Sequence, residues 1–168
     1  PLNYVVPPGI QQELDIASTN LRALNEQSMV LGVVDLNDGD SRAAYRNFNL
    51  DIRSYKKLRM YVHMEQISEN EPIEYGELSC FIRLGTDYED NYYEYEIPLT
   101  PSPWYNQDPY SIWPEANNMV VDFSTLQQVK NKRNQLSYPT FLPVTFMEGN
   151  EFEYILFTSF HIQGFLYL

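Results

Sequence analysis

The sequence contains few of the residues that build disulfides, metal sites and nucleic-acid interfaces. Its one cysteine, Cys80, excludes an internal disulfide. Its two histidines, His63 and His161, lie far apart in the sequence and neither belongs to a metal-ligand motif, so we expect no metal site. Only 11 Lys and Arg residues accompany 23 Asp and Glu residues. The resulting net charge of −12 argues against a nucleic-acid partner, because phosphates require a basic surface.

Motifs of catalytic chemistry are also missing from the sequence. No serine lies in a Gly-x-Ser-x-Gly elbow, and no glycine-rich loop matches a phosphate-binding pattern. Glu94 and Glu96 could flank a glycosidic bond, but acidic residues that alternate along a strand more commonly solubilise its exposed face. We therefore expect a protein without enzymatic activity and without a cofactor.

The organisation of the chain predicts one domain behind an extended segment. No apolar run approaches the roughly 18 residues that a transmembrane helix requires. The sequence begins at Pro1 without an initiator Met or a signal peptide, so we expect a fragment of a longer protein. Consecutive prolines near its start favour an open backbone. We predict an extended, linker-like segment over residues 1–26 and a single β-sandwich domain over residues 27–168.

What the sequence does contain is an alternation of apolar and polar residues that is typical of β-strands. Every second side chain is apolar in residues 58–65, and residues 92–99 alternate in a similar way. Strands of this kind bury one face, and we expect six core side chains: Met60, Val62, Ile82, Leu84, Tyr93 and Tyr95. Cys80 shares the inward parity of this core, which predicts a buried structural thiol. The pattern indicates an all-β protein, a jelly-roll-like antiparallel β-sandwich with one short helix.

Local signals predict further elements around this core. The expected elements are strands over residues 27–34 and 43–50, a hairpin across residues 86–91, a helix over residues 125–133 with Ser124 as its N-cap, and a terminal strand within residues 152–168. The last segment is apolar on both faces. We therefore expect it to close the sandwich and not to lead into the wall of a barrel.

Two constellations have a claim to binding. The first is a long irregular segment with four aromatic residues: Trp104, Tyr105, Tyr110 and Trp113. Exposed, these rings could stack on a sugar or on another protein; folded back, they would only pack against the end of the sandwich. The second is a basic band in an acidic chain: Arg42, Arg46, Arg53, Lys56, Lys57 and Arg59. The band is either a docking edge for an acidic element or a solvated rim that balances nearby carboxylates.

Two acidic turns offer oxygen ligands of the kind that Ca²⁺ prefers. They lie at residues 35–40 and 87–90, and neither has the ligand spacing of an EF-hand loop. Turn chemistry alone accounts for Asp, Asn and Gly at such positions. We therefore assign no metal to them.

Several motifs, in order along the chain, resemble the SprA family of gliding-motility cell-surface proteins, which form the outer-membrane translocon of type IX secretion in Bacteroidetes. The motifs are PPGI at 7–10, NEQS at 25–28, LNDGD at 36–40 with Arg42 and Tyr45, DIRSYKKLRMYVHME at 51–65, FIRLGTD at 81–87, NYYEYE at 91–96, WPE at 113–115 and KRN at 132–134. The likeness covers roughly positions 4 to 134.

The resemblance implies a segment of a long, mostly β-barrel protein that passes folded cargo across the outer membrane. It implies partners among the translocon subunits and the rest of the same chain, membrane contact through the parent barrel, and no catalytic residues. We accordingly expect a non-enzymatic accessory domain at the outer membrane or cell surface. The alternative is a cell-surface carbohydrate-binding module that uses the aromatic segment as its platform.

Overall fold

The computed structural model shows short antiparallel strands and two helices among the residues that it describes. The described ranges are residues 5–10, 28–47, 51–66, 72–87, 89–139, 142–148, 152–157 and 165–167. Within them the strands are β1 Tyr45–Asn47, β2 Lys57–Tyr61, β3 Ser79–Gly85, β4 Tyr92–Pro98, β5 Asn118–Asp122, β6 Val144–Glu148, β7 Phe152–Phe157 and β8 Phe165–Tyr167. The helices are α1 Pro109–Ile112 and α2 Phe123–Gln135, with 3₁₀ turns at Ile52–Ser54 and Glu115–Asn117.

The strands form two antiparallel sheets. One has six strands in the order β1-β8-β3-β4-β7-β6, and the other pairs β2 with β5. This arrangement agrees with an antiparallel, mainly β protein that carries one helix of substantial length. The jelly-roll order of strands stays a prediction, as do the domain limits at residues 26 and 27.

β3 and β4 form a hairpin that pairs over the full length of both strands. Its register places Ile82 opposite Tyr95 and Leu84 opposite Tyr93. The connection is closed by Asp87, whose Oδ1 accepts hydrogen bonds from the backbone N–H groups of Glu89, Asp90 and Asn91 at 3.1, 2.7 and 2.9 Å. The predicted hairpin across residues 86–91 is therefore confirmed.

One hydrophobic core combines both sheets and α2. Its buried members come from β3, β4, β5, α2 and the segments next to β2 and β4: Met64, Ile82, Leu84, Tyr95, Ile97, Leu99, Met119, Val121, Leu126 and Val129. Of the six predicted core side chains, Ile82, Leu84 and Tyr95 are buried; the other three, Met60, Val62 and Tyr93, are half-buried against this cluster.

Cys80 packs beside the core on its predicted face. It is half-buried and not fully enclosed. Burial and the negative charge of Glu96 raise the pKa of its thiol to about 11. Since the thiolate is the reactive form, the residue behaves as a small apolar side chain.

Helix α2 begins earlier than the sequence indicates. The N-cap is Asp122 and not Ser124, because the Asp122 carboxylate accepts hydrogen bonds from the Ser124 N–H at 2.9 Å and the Ser124 hydroxyl at 2.7 Å. Those two bonds also lower the pKa of Asp122. Lys132 and Arg133 lie in the last turn, where cations complement the helix dipole. No helix within the described ranges is long and apolar enough to cross a membrane.

Two other sequence predictions have different outcomes. The strand predicted over residues 27–34 is wrong for residues 28–34, which form no ladder and are exposed. Its apolar residues satisfied the propensity of a strand, but a strand also requires a neighbour to supply hydrogen bonds. Of the strand predicted over residues 43–50, Tyr45–Asn47 forms β1, and residues 48–50 lie outside the described ranges.

The described parts of residues 152–168, which are residues 152–157 and 165–167, contribute strands to the sheet as expected. β7 pairs with β4, and β8 pairs with both β1 and β3. The pairing with residues before position 123 agrees with a closing strand of the same domain. Residues 158–164, including His161, lie outside the described ranges.

Candidate functional site

The aromatic loop, residues 100–117, is attached at both ends to the sheets. Asn117 is 1% exposed, and its side chain exchanges two hydrogen bonds with the backbone of Thr100, each 2.8 Å long. The N–H of Ser102 donates to the carbonyl of Met64 at 2.8 Å. These bonds hold the loop across the end of β2 and fix the position of its aromatic residues.

The four predicted aromatic residues do not form a single flat platform. Tyr105 and Tyr110 are 72% and 74% exposed, whereas Trp104 and Trp113 are half-buried. The rings of Trp104 and Tyr105 lie 5.7 Å apart with their planes at 52°, so they are not coplanar. α1 fixes Tyr110 in place, since Asp108 caps that helix by accepting from the N–H of Ser111 at 2.9 Å. The loop thus presents two exposed tyrosines on a fixed backbone.

Trp113 is packed against other parts of the chain. Its ring makes an edge contact with Tyr61 at 6.3 Å and a tilted contact with His63 at 5.6 Å. Its indole Nε1–H donates to the carbonyl of Val5 at 2.8 Å. The expectation that these aromatics pack at the end of the domain therefore fits Trp113, and the exposed alternative fits Tyr105 and Tyr110.

A serine of the aromatic loop contacts a histidine that follows β2, and the sequence did not reveal this contact. The Ser102 hydroxyl lies 3.0 Å from Nδ1 of His63 and 2.9 Å from the carbonyl oxygen of Ile112, which is also 3.0 Å from Nδ1. Glu65 lies 3.7 Å from Nε2 of His63. These are the residue types of a hydrolytic triad.

The geometry of Ser102, His63 and Glu65 favours a structural role over a catalytic one. Ser102 is 4% exposed, and its hydroxyl proton has a carbonyl acceptor within bonding distance. In a triad the histidine uses one nitrogen for the serine and the other for the carboxylate, with the serine open to substrate. Here Nδ1 contacts both the Ser102 hydroxyl and the carbonyl of Ile112. These contacts connect the segment after β2 to the end of α1.

The basic band is distributed over several segments. Arg42 follows the turn at residues 37–40, Arg46 lies in β1 at the edge of the six-stranded sheet, and Arg53 belongs to a 3₁₀ turn. Lys56 directly precedes β2, which contains Lys57 and Arg59. Arg42, Arg46, Lys56, Lys57 and Arg59 are all exposed.

Some of these cations have short-range partners. Lys57 pairs with Asp122 at 3.7 Å, and Arg59 donates through Nε to Asn118 at 3.1 Å. The Arg59 guanidinium also lies 4.9 Å from the centre of the Tyr61 ring. Lys57 and Arg59 thus form a small basic face on β2.

The two acidic turns use their carboxylates in local hydrogen bonds. Burial raises the pKa of Asp87, but the hydrogen bonds from Asp90, Asn91 and Glu89 outweigh it and hold the pKa below its usual value. In the other turn, Asp40 accepts from the Asn37 side chain at 3.2 Å and pairs with Arg42 at 3.6 Å. No group of three His, Cys, Asp or Glu side chains suited to a metal ion occurs in the described part of the chain.

The interpretation of Glu94 as a solvated residue is wrong. Glu94 is 5% exposed and forms an ion pair with Arg83. The Arg83 guanidinium in turn lies 4.2 Å from the centre of the Tyr92 ring. β4 is an inner strand between β3 and β7, and its register places Glu94 between Arg83 of β3 and Ile155 of β7. Glu96 is half-buried and accepts a hydrogen bond from the Ser79 hydroxyl.

Comparison with known proteins identifies the family. A search of curated proteins gave no match. The model of the SprA_N family, described as "Motility related/secretion protein", matches residues 1–154. This match continues beyond the motifs that end at Asn134, into the strands β6 and β7. The chain therefore belongs to the SprA_N family of motility-related and secretion proteins.

Proposed function

We propose that this chain is a non-enzymatic, jelly-roll-like accessory domain of an outer-membrane translocon for type IX secretion and gliding motility in Bacteroidetes. The observation that carries the proposal is the family match over residues 1–154. The domain acts at the outer membrane or cell surface. Its partners are other translocon subunits and the remainder of its own chain, and the membrane contact is made by the parent barrel.

An exposed apolar segment supports a docking role. Residues 29–34 read Met-Val-Leu-Gly-Val-Val, and Val30 and Val34 are 87% and 67% exposed. Contiguous apolar surface is unfavourable in water and commonly marks an interaction surface. Within a larger assembly, this segment contributes apolar contact area while the exposed cations of β2 set the orientation of the partner.

Charge reversal of the basic band tests the docking role. In the full-length protein, Lys56→Glu, Lys57→Glu and Arg59→Glu together should reduce secretion of a type IX cargo and slow gliding, while the domain retains its circular dichroism spectrum. The reason is that exposed charges guide association more than they hold the core. Lys130→Glu, a single reversal on the exposed side of α2, is the control for charge reversal outside the band. Normal secretion with all three β2 reversals would refute the docking edge.

The absence of catalysis is tested at the group that most resembles a triad. We expect no turnover of glycoside or ester panels by the purified chain, since the Ser102 hydroxyl is buried and bonded to a carbonyl. Ester turnover that disappears in Ser102→Ala would overturn the proposal. Glycoside turnover lost in Glu94→Gln would overturn it as well.

A carbohydrate-binding module is the second candidate, and the exposure of Tyr105 and Tyr110 favours it. Tyrosine rings on a fixed loop can stack on sugar rings. Calorimetric titration with soluble glycans, compared between the parent chain and Tyr110→Ala, tests this function. Saturable binding that Tyr110→Ala abolishes would support the module; the accessory-domain proposal predicts no binding in either protein.

A further inference from the structure

Residues 5–10, the proline segment, bond to the rings of Trp113 and Tyr61; with His63, which contacts Trp113, these rings form what we call the aromatic cluster. The carbonyl of Val5 accepts from the Trp113 indole at 2.8 Å, and the carbonyl of Pro8 lies 3.4 Å from the Tyr61 hydroxyl. The distance to the Tyr61 hydroxyl is long for a hydrogen bond, so the bond from Trp113 is the stronger of the two. Pro7, between these two carbonyls, is buried, although the sequence predicted an extended, linker-like segment here.

The chemistry of the two partners is complementary. Pro7 and Pro8 have no N–H group, so this stretch of backbone offers mainly hydrogen-bond acceptors. The Trp113 indole is a donor only, and the Tyr61 hydroxyl can donate. Aromatic surfaces with such donors are a recurrent way of binding proline-rich peptides, whose stiff backbone loses little entropy on binding.

The proline segment ends in a defined turn. The N–H of Ile10 donates to the carbonyl of Pro7 at 3.3 Å, and Gly9 has a φ of +80°. A proline followed by a glycine with positive φ is the sequence of a type II turn. The buried part of the segment ends at this turn, since Pro7 is buried while Gly9 and Ile10 are exposed.

The aromatic cluster is held in place by the rest of the domain. His63 is fixed by Ser102 and the Ile112 carbonyl, as described above. The backbone N–H of Trp113 donates to the carbonyl of Pro109 at 2.9 Å at the end of α1. Tyr61 is the last residue of β2. A surface whose parts are fixed by other contacts is preorganised for its ligand.

We propose that the aromatic cluster is a recognition site for a proline-containing peptide segment and that residues 5–10 of the same chain occupy it. The site gives the Ser102–His63 contact a purpose, because that contact orients one of the three rings. The proposal does not depend on the translocon function.

Exchange of the two indole N–H protons with water tests this site directly in the whole chain. Trp104 and Trp113 are the only tryptophans, so each gives one NMR signal, assigned with Trp104→Phe. We compare the parent chain with the double variant Pro7→Ala and Pro8→Ala. Replacing two prolines raises the conformational entropy of the segment when it is detached from the rings, so detachment becomes more favourable. Exchange of the Trp113 indole proton should therefore accelerate about fivefold or more. The control is Pro103→Ala, at an exposed proline beside Trp104.

The outcomes separate the alternatives. Faster Trp113 exchange in the double variant, with no change at Trp113 in Pro103→Ala, supports the site. An unchanged Trp113 rate in the double variant would overturn it. Protection of the parent chain that increases with protein concentration would mean that a second copy supplies the segment, which would overturn the intramolecular assignment.

Discussion

The buried pair of Arg83 and Glu94 gives the sharpest prediction for stability. Arg83→Met keeps an unbranched side chain over Tyr92 but removes the positive charge beside a carboxylate that is 5% exposed. Loss of one member of a buried pair costs about 3 to 5 kcal/mol. Because the Arg83 side chain is 28% exposed, water screens part of this effect, and we expect a loss of about 3 kcal/mol.

Urea unfolding followed by circular dichroism measures this loss. With a denaturant slope of roughly 2 kcal/mol/M, the midpoint of Arg83→Met should fall by about 1.5 M. The double variant Arg83→Met with Glu94→Leu should regain most of that stability, because no charge remains buried. Arg59→Met, at an exposed arginine that also lies near a tyrosine ring, should cost less than about 1 kcal/mol. A loss below about 1 kcal/mol in Arg83→Met, or a double variant no more stable than the single one, would refute the argument.

Three further predictions concern the β3–β4 hairpin. Leu84→Ala should lower the free energy of unfolding by about 2 to 5 kcal/mol, since Leu84 is 6% exposed in the core; a loss under 1 kcal/mol would contradict its placement. Asp87→Ala should cost about 1 kcal/mol at pH 7. The folded pKa of Asp87 is depressed, so its contribution is present above the usual 3.8 and is lost as pH falls through the folded value; a cost that persists at pH 2 would count against this origin. Cys80, with a thiol pKa of about 11 in place of 9.0, should react with maleimide at pH 8 about a hundredfold more slowly in the native protein than in guanidinium, and equal rates would exclude the burial.

The sequence predicted the strands wherever one face is buried and the other is exposed. In β2 the apolar residues Leu58 and Met60 face the core while Lys57 and Arg59 are exposed, as a period of two requires. The same rule fails at Glu94, because no local pattern indicates that β7 will lie beside β4 and that Arg83 will meet the carboxylate. Residues 28–34 fail for the converse reason, since they have the composition of a strand without a strand to pair with.

The candidate site was only partly visible in the sequence. The aromatic loop was identified from its composition, but the partners of Trp113 come from residues 5–10 and from β2, which are distant in the chain. His63 and Ser102 are 39 positions apart, so no motif links them. Proline content near residue 7 predicted an extended backbone, whereas residues 7–10 form a turn, and the packing of Pro7 and Val5 depends on a ring that tertiary structure places there.

The order of strands in the six-stranded sheet also constrains the timing of assembly. β8 lies between β1 and β3, and Tyr45 faces Tyr167 across the first of these ladders. During synthesis at about 5 to 20 residues per second, β1 therefore waits roughly ten seconds for its partner, while the β3–β4 hairpin can already form. Closing so long a loop is slow, and an unpaired strand edge can meanwhile pair with a neighbouring chain. β8, the last strand of the described sheet, thus supplies the hydrogen-bond partner of β1, its first strand. A delay in the synthesis or pairing of β8 therefore prolongs the period in which β1 is open to intermolecular pairing.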